Sequence, residues 1–208
     1  MSVRIHPTAI IEADVAIGDG SSIWDNVHIR HSTTIGEECI VGEKSYIAYD
    51  VHIGDRVKIN ANVYICTAVT IERGVMISAG TVFTNDRFPR AATNDLSRLR
   101  PSDPDDETLP TLVREGATIG ANCTIGCGLE IGRFAMIGMG SVVTKSIPDF
   151  HLFLGNPARS VGAVCKCGHL LVRFSELEDA RPGRVECRDC GQVFDVFEKI
   201  VQPLAAVP

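Results

Sequence analysis

The feature that most constrains this chain is a six-residue repeat of aliphatic side chains. An apolar residue stands at every sixth position in two runs, which a long irregular stretch separates. The first run is Ile5, Ile11, Ile17, Ile23, Ile29, Ile35, Val41, Ile47, Ile53, Ile59, Ile65, Ile71, Ile77 and Phe83, and the second is Val113, Ile119, Ile125, Ile131, Ile137 and Val143. A period of six fits neither an amphipathic helix nor a half-exposed strand, so it predicts short strands joined by tight corners.

The residues between the repeat positions support this interpretation. The fourth residue after each aliphatic residue is usually small or β-branched, as at Val27, Cys39 and Ser45, and glycine often follows directly, as at Gly36 and Gly54. We expect the aliphatic side chain to point inward, the smaller one to fill the space beside it, and glycine to permit the backbone shape of a corner. Three such units make a coil of about 18 residues, and stacked coils form a solenoid.

Composition limits the classes of function. The chain has 208 residues, a net charge of -6 and 45% hydrophobic residues, which is typical of a folded domain with at most a small appendage. It has no cluster of basic residues for nucleic acid and no apolar run long enough to cross a bilayer. The start, "MSVRIHPTAI", has no apolar signal core, so we expect a cytoplasmic protein. The eight cysteines then need an explanation other than disulfides.

The [LIV]-G-x-x-x-x repeat resembles that of the hexapeptide acyltransferases, over roughly residues 3 to 162. This resemblance implies an all-β fold, a left-handed parallel β-helix. It also implies a homotrimer with active sites between subunits. The handedness and the assembly come from the resemblance alone.

The irregular stretch, residues 84–112, interrupts the repeat without changing its phase, because Phe83 and Val113 are a multiple of six apart. One alternative is a tolerated surface insertion, since loop length costs little. A loop this long inside a compact repeat is more often functional. It opens with "FTNDRFPR", and this string, together with "LVREGATIGANCTIGCGLEIG" and "GNPAR", resembles nucleotide-sugar N-acetyltransferases that act on 3-amino sugars.

The implied reaction transfers an acetyl group from acetyl-CoA to a sugar amine. No histidine lies between His52 and His151, so neither the loop nor the later coils supply a histidine base. We therefore hypothesise that the amine needs none, because a sugar amine is partly neutral near pH 7. The resemblance points to Asn85 as the residue that holds the amine, while the adjacent Asp86 orients the substrate or accepts the proton. The alternative for this Asn-Asp pair is ordinary turn chemistry.

Acceptor contacts are predicted on the early coils and in the loop: His28, Arg30, Tyr64, Arg87 and Arg90. His28 is followed one coil later by Tyr46 and another coil later by Tyr64, which makes a polar-aromatic stripe. The alternative is a solvated or subunit-contact face. Trp24 could likewise contact the acceptor or belong to such a face.

Coenzyme A is expected along the later coils. Gly138, Gly140 and Ser141 occupy turns of the kind that contact the pantetheine arm in the family, although packing also explains their small size. Lys145 and Arg159 are the candidate phosphate contacts, because a guanidinium offers a forked donor set.

After Gly162 the repeat ends, and Cys165, Cys167, Cys187 and Cys190 follow in a C-x-C and C-x-x-C arrangement. Two close cysteine pairs beside strand-like segments predict a small zinc ribbon over residues 163–208, appended to an acyltransferase domain over residues 1–162. A structural zinc would supply stability that so short a segment lacks. The alternatives are His169 as a ligand, an empty remnant or a redox pair.

The leading hypothesis is an acetyl-CoA-dependent N-acetyltransferase for a dTDP- or UDP-linked 3-amino sugar, serving a surface polysaccharide such as the lipopolysaccharide O-antigen. An O-acetyltransferase on a small alcohol or sugar hydroxyl would normally need a histidine base. A zinc hydratase would need three converging histidines, and His28 and His52 are not a whole number of coils apart. A non-catalytic scaffold is the third alternative, against which the loop argues.

Overall fold

The computed structural model describes residues 2–177 and 183–204. Over these residues the regular secondary structure is β-strand, apart from one 3₁₀ turn at Phe174–Glu176. None of the described residues forms a helix long and apolar enough to cross a bilayer. The six-residue period is confirmed as a parallel β-solenoid with three faces.

Each face is a ladder of two- or three-residue strands. The first face holds β1 (Arg4–Ile5), β4 (Ser22–Ile23), β7 (Ile40–Val41), β10 (Lys58–Ile59), β13 (Met76–Ile77), β16 (Thr118–Ile119) and β19 (Met136–Ile137). The second holds β2 (Ile10–Ile11), β5 (His28–Ile29), β8 (Tyr46–Ile47), β11 (Tyr64–Ile65), β14 (Val82–Phe83), β17 (Thr124–Ile125) and β20 (Val142–Val143). The third holds β3 (Ala16–Ile17), β6 (Thr34–Ile35), β9 (His52–Ile53), β12 (Val69–Ile71), β15 (Thr111–Val113) and β18 (Glu130–Ile131).

The ladder residues fill the interior. Ile29, Ile47, Ile65 and Ile125 are completely buried, and the smaller residues beside them include Cys39 and Cys123, each 1% exposed. Both cysteines therefore occupy the inward packing position expected of them. Ile5 in β1 is 47% exposed, because among the described residues only the β4 side of this strand is covered by another coil.

The glycines that follow the ladder residues serve a purpose other than the one expected. A Cβ on Gly42 would lie 2.6 Å from the carbonyl carbon of Asn60 in the next coil, so this position needs a missing side chain rather than a special φ. The corners instead use the residue three before most ladder positions, with a positive φ at Asn26, Lys44 and Gly80, among others. The corner residue, whose φ is positive, can thus be one of several types. Glycine is needed instead where the backbones of two neighbouring coils approach closely.

A second, smaller core lies beyond the last coil. β21 (His151–Gly155) pairs in parallel with β19, and β22 (Ala158–Val164) and β23 (Leu170–Arg173) follow antiparallel. β24 (Gly183–Glu186), β25 (Val193–Phe197) and β26 (Ile200–Pro203) form a separate antiparallel sheet. The ring of Phe150 stacks on Phe134 at 5.6 Å and meets Phe194 edge-on at 5.4 Å, which packs this sheet against the solenoid end.

Candidate functional site

The long loop is an ordered arm that leaves β14 and returns at β15. Its base is closed by a hydrogen bond from the Leu109 amide to the Asn85 carbonyl (2.9 Å) and by an antiparallel bridge between Asp86 and Thr108. Further out, a second bridge pairs Ala92 with Leu99. The strand β15 begins at Thr111, so the loop ends two residues earlier than predicted.

The arm begins at one corner of the solenoid, where the second face turns into the third. The strand register aligns the residues that stand two positions after each second-face ladder residue. In chain order these are Ala13, His31, Tyr49, Thr67, Asn85, Cys127 and Lys145, and we call this column the site corner. Neighbouring coils are about 4.8 Å apart, so successive members of the column are separated by roughly that distance.

Asn85 and Asp86 therefore stand at the middle of the site corner. Asn85 is half-buried and Asp86 is exposed, and both line the groove between the arm and the solenoid. Among the described residues, the side-chain amide of Asn85 has no hydrogen-bond partner. It is consequently available to a ligand in the groove.

The loop contains a second Thr-Asn-Asp string, which shows what ordinary turn chemistry looks like here. At residues 93–95 the Asp95 carboxylate accepts hydrogen bonds from the hydroxyls of Thr93 (2.6 Å) and Ser97 (2.8 Å). These contacts lower the pKa of Asp95 to about 2. The Asp86 carboxylate instead lies 3.5 Å from the hydroxyl of Thr108, on the segment that returns to the solenoid. The two aspartates therefore differ in their contacts: Asp95 closes a local turn and Asp86 does not.

Aromatic and prolyl side chains line the groove together with two arginines. The lining includes Tyr46, Tyr49, Tyr64, Thr67, Pro89, Arg90, Arg100 and Pro101. Of the predicted acceptor contacts, Tyr64 and Arg90 lie in this groove. Arg87 is exposed on the arm and does not belong to the lining.

His28 and Arg30 belong to a connected cluster on the early coils. The Glu12 carboxylate lies 2.7 Å from Arg30 Nε and 2.8 Å from His28 Nε2. A hydrogen bond from Arg30 to the Tyr46 hydroxyl (3.1 Å) joins this cluster to the groove lining. The Arg30 guanidinium holds the pKa of Glu12 down at about 2, so the carboxylate stays charged.

Two aromatic stacks run along the coils from this cluster. On the second face, Tyr46 stacks on Tyr64 with centroids 5.3 Å apart and ring planes 6° apart, and His28 meets Tyr46 edge-on. At the site corner, His31 stacks on Tyr49 at 5.2 Å. The predicted polar-aromatic stripe is thus a set of ring contacts that ends beside the groove.

The predicted coenzyme A residues lie on the other side of Asn85. Lys145 is exposed at the site corner, two coils beyond Asn85, and Arg159 is exposed on β22. A Cβ on Gly140 would meet nothing within 4 Å, whereas one on Gly138 would collide with the Leu154 side chain.

Ser141 differs from these residues because its side chain is fully buried. Its hydroxyl donates to the Gly138 carbonyl (2.7 Å) and accepts from the Gly155 amide (3.1 Å). A ligand contact at this position would therefore have to come from the backbone.

Sequence reasoning did not single out Tyr49, Thr67 or Arg100, which the structure brings to the same groove. The signal that could have found the first two is the 18-residue spacing back from Asn85. Cys66 and Cys127 also lie near the site. Burial raises the pKa of Cys66 to about 12, and the nearby Asp86 carboxylate acts in the same direction, so this thiol stays protonated.

The four C-terminal cysteines form one cluster. Their sulfur atoms all lie within 4.8 Å of one another, with Cys165 3.4 Å from Cys190 and Cys167 3.6 Å from Cys187. Four thiolates at about 2.3 Å from a tetrahedral zinc would be about 3.8 Å apart, so the arrangement fits this metal. Backbone amides of Cys190 and Asp189 donate to the Cys187 sulfur and lower its pKa to about 6.

Within one chain, no group of three histidines among the described residues is close enough to hold a metal. His28 lies on the second face and His52 on the third, where it bonds Thr34. Among the described residues, the one group with a histidine that could hold a metal is Cys167, His169 and Asp189, beside the cysteine cluster. His151 is buried between Ser160 and the Lys199 carbonyl, and burial lowers its pKa.

The fold, the arm and the groove define a solenoid with one elaborated corner, and comparison with known families agrees. Residues 14–49 and 50–85 match the model of the bacterial transferase hexapeptide (six repeats). Residues 110–145 match the hexapeptide repeat of succinyl-transferase. Together these two hexapeptide-repeat models match just over half of the chain, which belongs to the hexapeptide-repeat transferases.

Individual relatives match part of their length. The chain is 58% identical over 57 residues to a dTDP-3-amino-3,6-dideoxy-alpha-D-galactopyranose 3-N-acetyltransferase of Aneurinibacillus thermoaerophilus, covering 27% of this chain and 30% of that protein. It is 24% identical over 162 residues to serine acetyltransferase 4 of Arabidopsis thaliana, covering 78% of this chain and 30% of that protein. The matched regions thus span less than a third of each of these relatives.

Among solved structures, the chain resembles AntD, an N-acyltransferase from Bacillus cereus in complex with dTDP and 3-hydroxybutyryl-CoA. The TM-score is 0.50 at 20% identity, covering 80% of this chain and 82% of that chain. A variant of AntD in complex with dTDP-4-amino-4,6-dideoxyglucose and coenzyme A gives the same TM-score and identity, covering 79% and 82%. At this identity the likeness concerns the fold.

Proposed function

We propose that this protein is an acetyl-CoA-dependent N-acetyltransferase that acetylates the amino group of a nucleotide-linked 3-amino sugar. The observation that carries the proposal is the position of Asn85, half-buried at the mouth of the groove with its side-chain amide free of described partners. The groove lies toward the earlier coils and the exposed Lys145 lies toward the later ones. The 58% match to a 3-N-acetyltransferase supports the same reaction class.

The chemistry assigns a limited task to each residue. The Asn85 side-chain oxygen accepts a hydrogen bond from the neutral amine and directs the nitrogen lone pair at the thioester carbonyl. A C–N bond forms, the C–S bond breaks, and coenzyme A leaves as its thiolate. The nitrogen releases one proton, which Asp86 can accept and pass to solvent or to the leaving thiolate. No histidine enters this scheme, because His31 is three coils, roughly 14 Å, from Asn85.

The coenzyme would lie along the later coils. The backbone around Gly138, Gly140 and Ser141 would contact its pantetheine arm, with Lys145 and Arg159 on its phosphates. Tyr64 and Arg90 would contact the acceptor directly, with Arg87 available from the arm. His28 and Arg30 both contact Glu12, so in this proposal they support the groove lining from behind rather than contact the acceptor.

The decisive experiment is thiol release from acetyl-CoA with a dTDP-linked and a UDP-linked 3-amino-3,6-dideoxyhexose. We expect turnover with at least one acceptor, a loss of 100-fold or more in Asn85→Ala, and a smaller loss in Asp86→Asn. Asn94→Ala is the matched control, because it changes the second Thr-Asn-Asp string of the same arm. Near-normal rates in Asn85→Ala, or no coenzyme A release with any amino sugar, would rule the proposal out. Release with a hydroxyl acceptor alone would favour an O-acetyltransferase.

We also propose that the four clustered cysteines hold a structural zinc. Four thiolates leave no open position, so such a metal would stabilise the small C-terminal core and take no part in catalysis. Elemental analysis of protein purified without chelator should find one zinc per chain. Cys187→Ser should lose it, while Cys39→Ser, a buried solenoid cysteine, should keep it. Zinc retained in Cys167→Ser but lost in His169→Ala would point to the histidine as the ligand.

The assembly we propose is a homotrimer with the groove facing a neighbouring copy. The arm exposes Phe88, Leu96 and Leu99 by 68%, 81% and 79%, which gives it apolar surface that a neighbouring copy could cover. Light scattering should give three times the mass of the 22.5 kDa chain.

The acetylated sugar would serve a surface polysaccharide such as the lipopolysaccharide O-antigen, and the enzyme would work in the cytoplasm. Fractionation of cells and analysis of their polysaccharide after gene deletion would test both points.

A further inference from the structure

The ring of Tyr49 is covered on one side and open on the other. His31 stacks on it with ring planes 7° apart, and the Arg30 guanidinium carbon lies 5.8 Å from its centroid. Both neighbours come from the preceding coil. The opposite face of the ring therefore looks along the solenoid axis toward the next coil.

In that next coil the site corner carries Thr67, a short side chain that is almost fully buried. One coil further stands Asn85. From the coil of Tyr49 to the coil of Asn85 the distance is two coil spacings, roughly 9 to 10 Å. A slot of this height, with Thr67 as its floor, has room for one saturated six-membered ring in van der Waals contact with the tyrosine.

The walls of this slot come from the arm. Pro89 and Pro101 line the groove beside Tyr49 and Thr67, and Asp86, Arg90, Arg100 and Ser102 belong to the same lining. Such a mixed lining suits a sugar, because the C–H face can lie on the tyrosine ring while the hydroxyl groups find polar partners on the arm.

We propose that the open face of Tyr49 is the platform on which the pyranose ring of the acceptor lies, and that the short side chain of Thr67 leaves the slot that this ring needs. This inference rests on the proposed function, because it places the sugar by the amine that Asn85 holds. A pyranose on Tyr49 puts a ring substituent at the level of Asn85.

The occupant of the slot is the sugar rather than the nucleobase. In a nucleotide-linked sugar, a pentose and a diphosphate separate the base from the hexose. If the base lay on Tyr49, the amine would be carried well beyond Asn85. The arginines that line the groove, Arg90 and Arg100, are placed for the diphosphate on the arm side.

The test is calorimetric binding to the full-length protein of three probes without a reactive amine: dTDP, dTDP-glucose and a dTDP-linked 6-deoxyhexose. The wild type should bind both sugar probes more tightly than dTDP, because only they reach the tyrosine ring. Tyr49→Ala should lose about tenfold in affinity for the 6-deoxyhexose probe, which is about 1.4 kcal/mol, and little for dTDP. Tyr49→Phe, which keeps the ring, should behave as the wild type.

A second pair of variants tests the slot itself. Thr67→Leu should fill it and weaken the 6-deoxyhexose probe without affecting dTDP, whereas Thr67→Val, of the same shape as threonine, should not. An equal loss for dTDP and for the sugar probe in Tyr49→Ala would place the base on this ring and overturn the inference. Tight binding of the 6-deoxyhexose probe by Thr67→Leu would also overturn it.

The two proposals fail in different ways. If the wild type binds the sugar probes as expected but releases no coenzyme A with any amino sugar, the proposed reaction is wrong and the platform stands. If turnover is normal in Tyr49→Ala with unchanged KM for the amino sugar, the platform is wrong and the reaction stands. If the wild type binds none of the dTDP probes or their UDP counterparts, both are wrong.

Discussion

Glu12 is a single residue on which several groove side chains depend. Its carboxylate contacts Arg30 and His28 and accepts a hydrogen bond from the His31 amide (3.1 Å). Through Arg30 it orients the Tyr46 hydroxyl, and through His31 it supports the ring on which Tyr49 stacks. No local motif around Glu12 indicates this role, because its partners lie one coil away in the chain.

We predict that Glu12→Gln flattens the acid dependence of stability. The folded pKa of Glu12 is lowered from 4.5 to about 2, so its interactions stabilise the fold above pH 4.5 and are lost as the pH falls toward 2. Thermal unfolding measured between pH 2 and pH 6, in steps of about 0.5 unit, should show a shallower fall in Tm for the variant. Glu43→Gln, at an exposed position, is the control, and an unchanged slope in Glu12→Gln would contradict the prediction.

At the scale of elements, the repeat alone predicts the strands and their facing, because a six-residue period specifies which residue points inward at every step. It does not reveal how the arm folds, since residues 84–110 carry no periodicity and their contacts are local turns and bridges. The repeat also does not predict the backbone conformation of the corners, because residues as different as Asn26, Lys44 and Phe134 adopt a positive φ there. The proposed boundary after Gly162 stays a prediction, and β22 runs through it.

The arm should be removable without loss of the solenoid. The Asn85–Leu109 hydrogen bond and the Asp86–Thr108 bridge bring the two ends of the arm together, so a two-residue turn can replace residues 87–107. We expect the shortened protein to keep its circular dichroism spectrum and to unfold within a few degrees of the wild type. It should lose turnover, because Arg90, Pro89 and Pro101 leave the groove.

The outcome that would contradict this prediction is a shortened protein that fails to fold. That result would mean that the arm is needed to bring β15 back onto β12, where Val69 pairs with Thr111. Retained turnover would instead show that the arm is a tolerated surface insertion.

At the scale of the whole molecule, stability is distributed along a continuous buried ladder that joins neighbouring coils. The interior positions are completely buried, as at Ile65 and Ile125, whereas the end positions are partly open, as at Ile5. Each coil is therefore stabilised by its neighbours rather than by its own contacts.

We predict that Ile65→Ala costs about 2 to 5 kcal/mol of unfolding free energy, because it leaves a cavity in a closely packed interior. Ile5→Ala, the matched substitution at an exposed ladder position, should cost less than about 1 kcal/mol. Urea unfolding with a common slope measures both values. Equal costs at the two sites would show that burial does not govern the ladder.

The antiparallel reversal from β21 into β22 also bears on aggregation. A parallel stack of identical coils could in principle accept another molecule at its end, as fibrils do, since its last coil offers unpaired amides and carbonyls. On the first face this growth stops at β21, because the chain turns back on itself and β22 occupies the edge, whereas the second and third faces end at β20 and β18. A chain cut before β21 would expose the edge of β19 as well, so we expect end-to-end polymerisation of such a shortened solenoid to start at the cut.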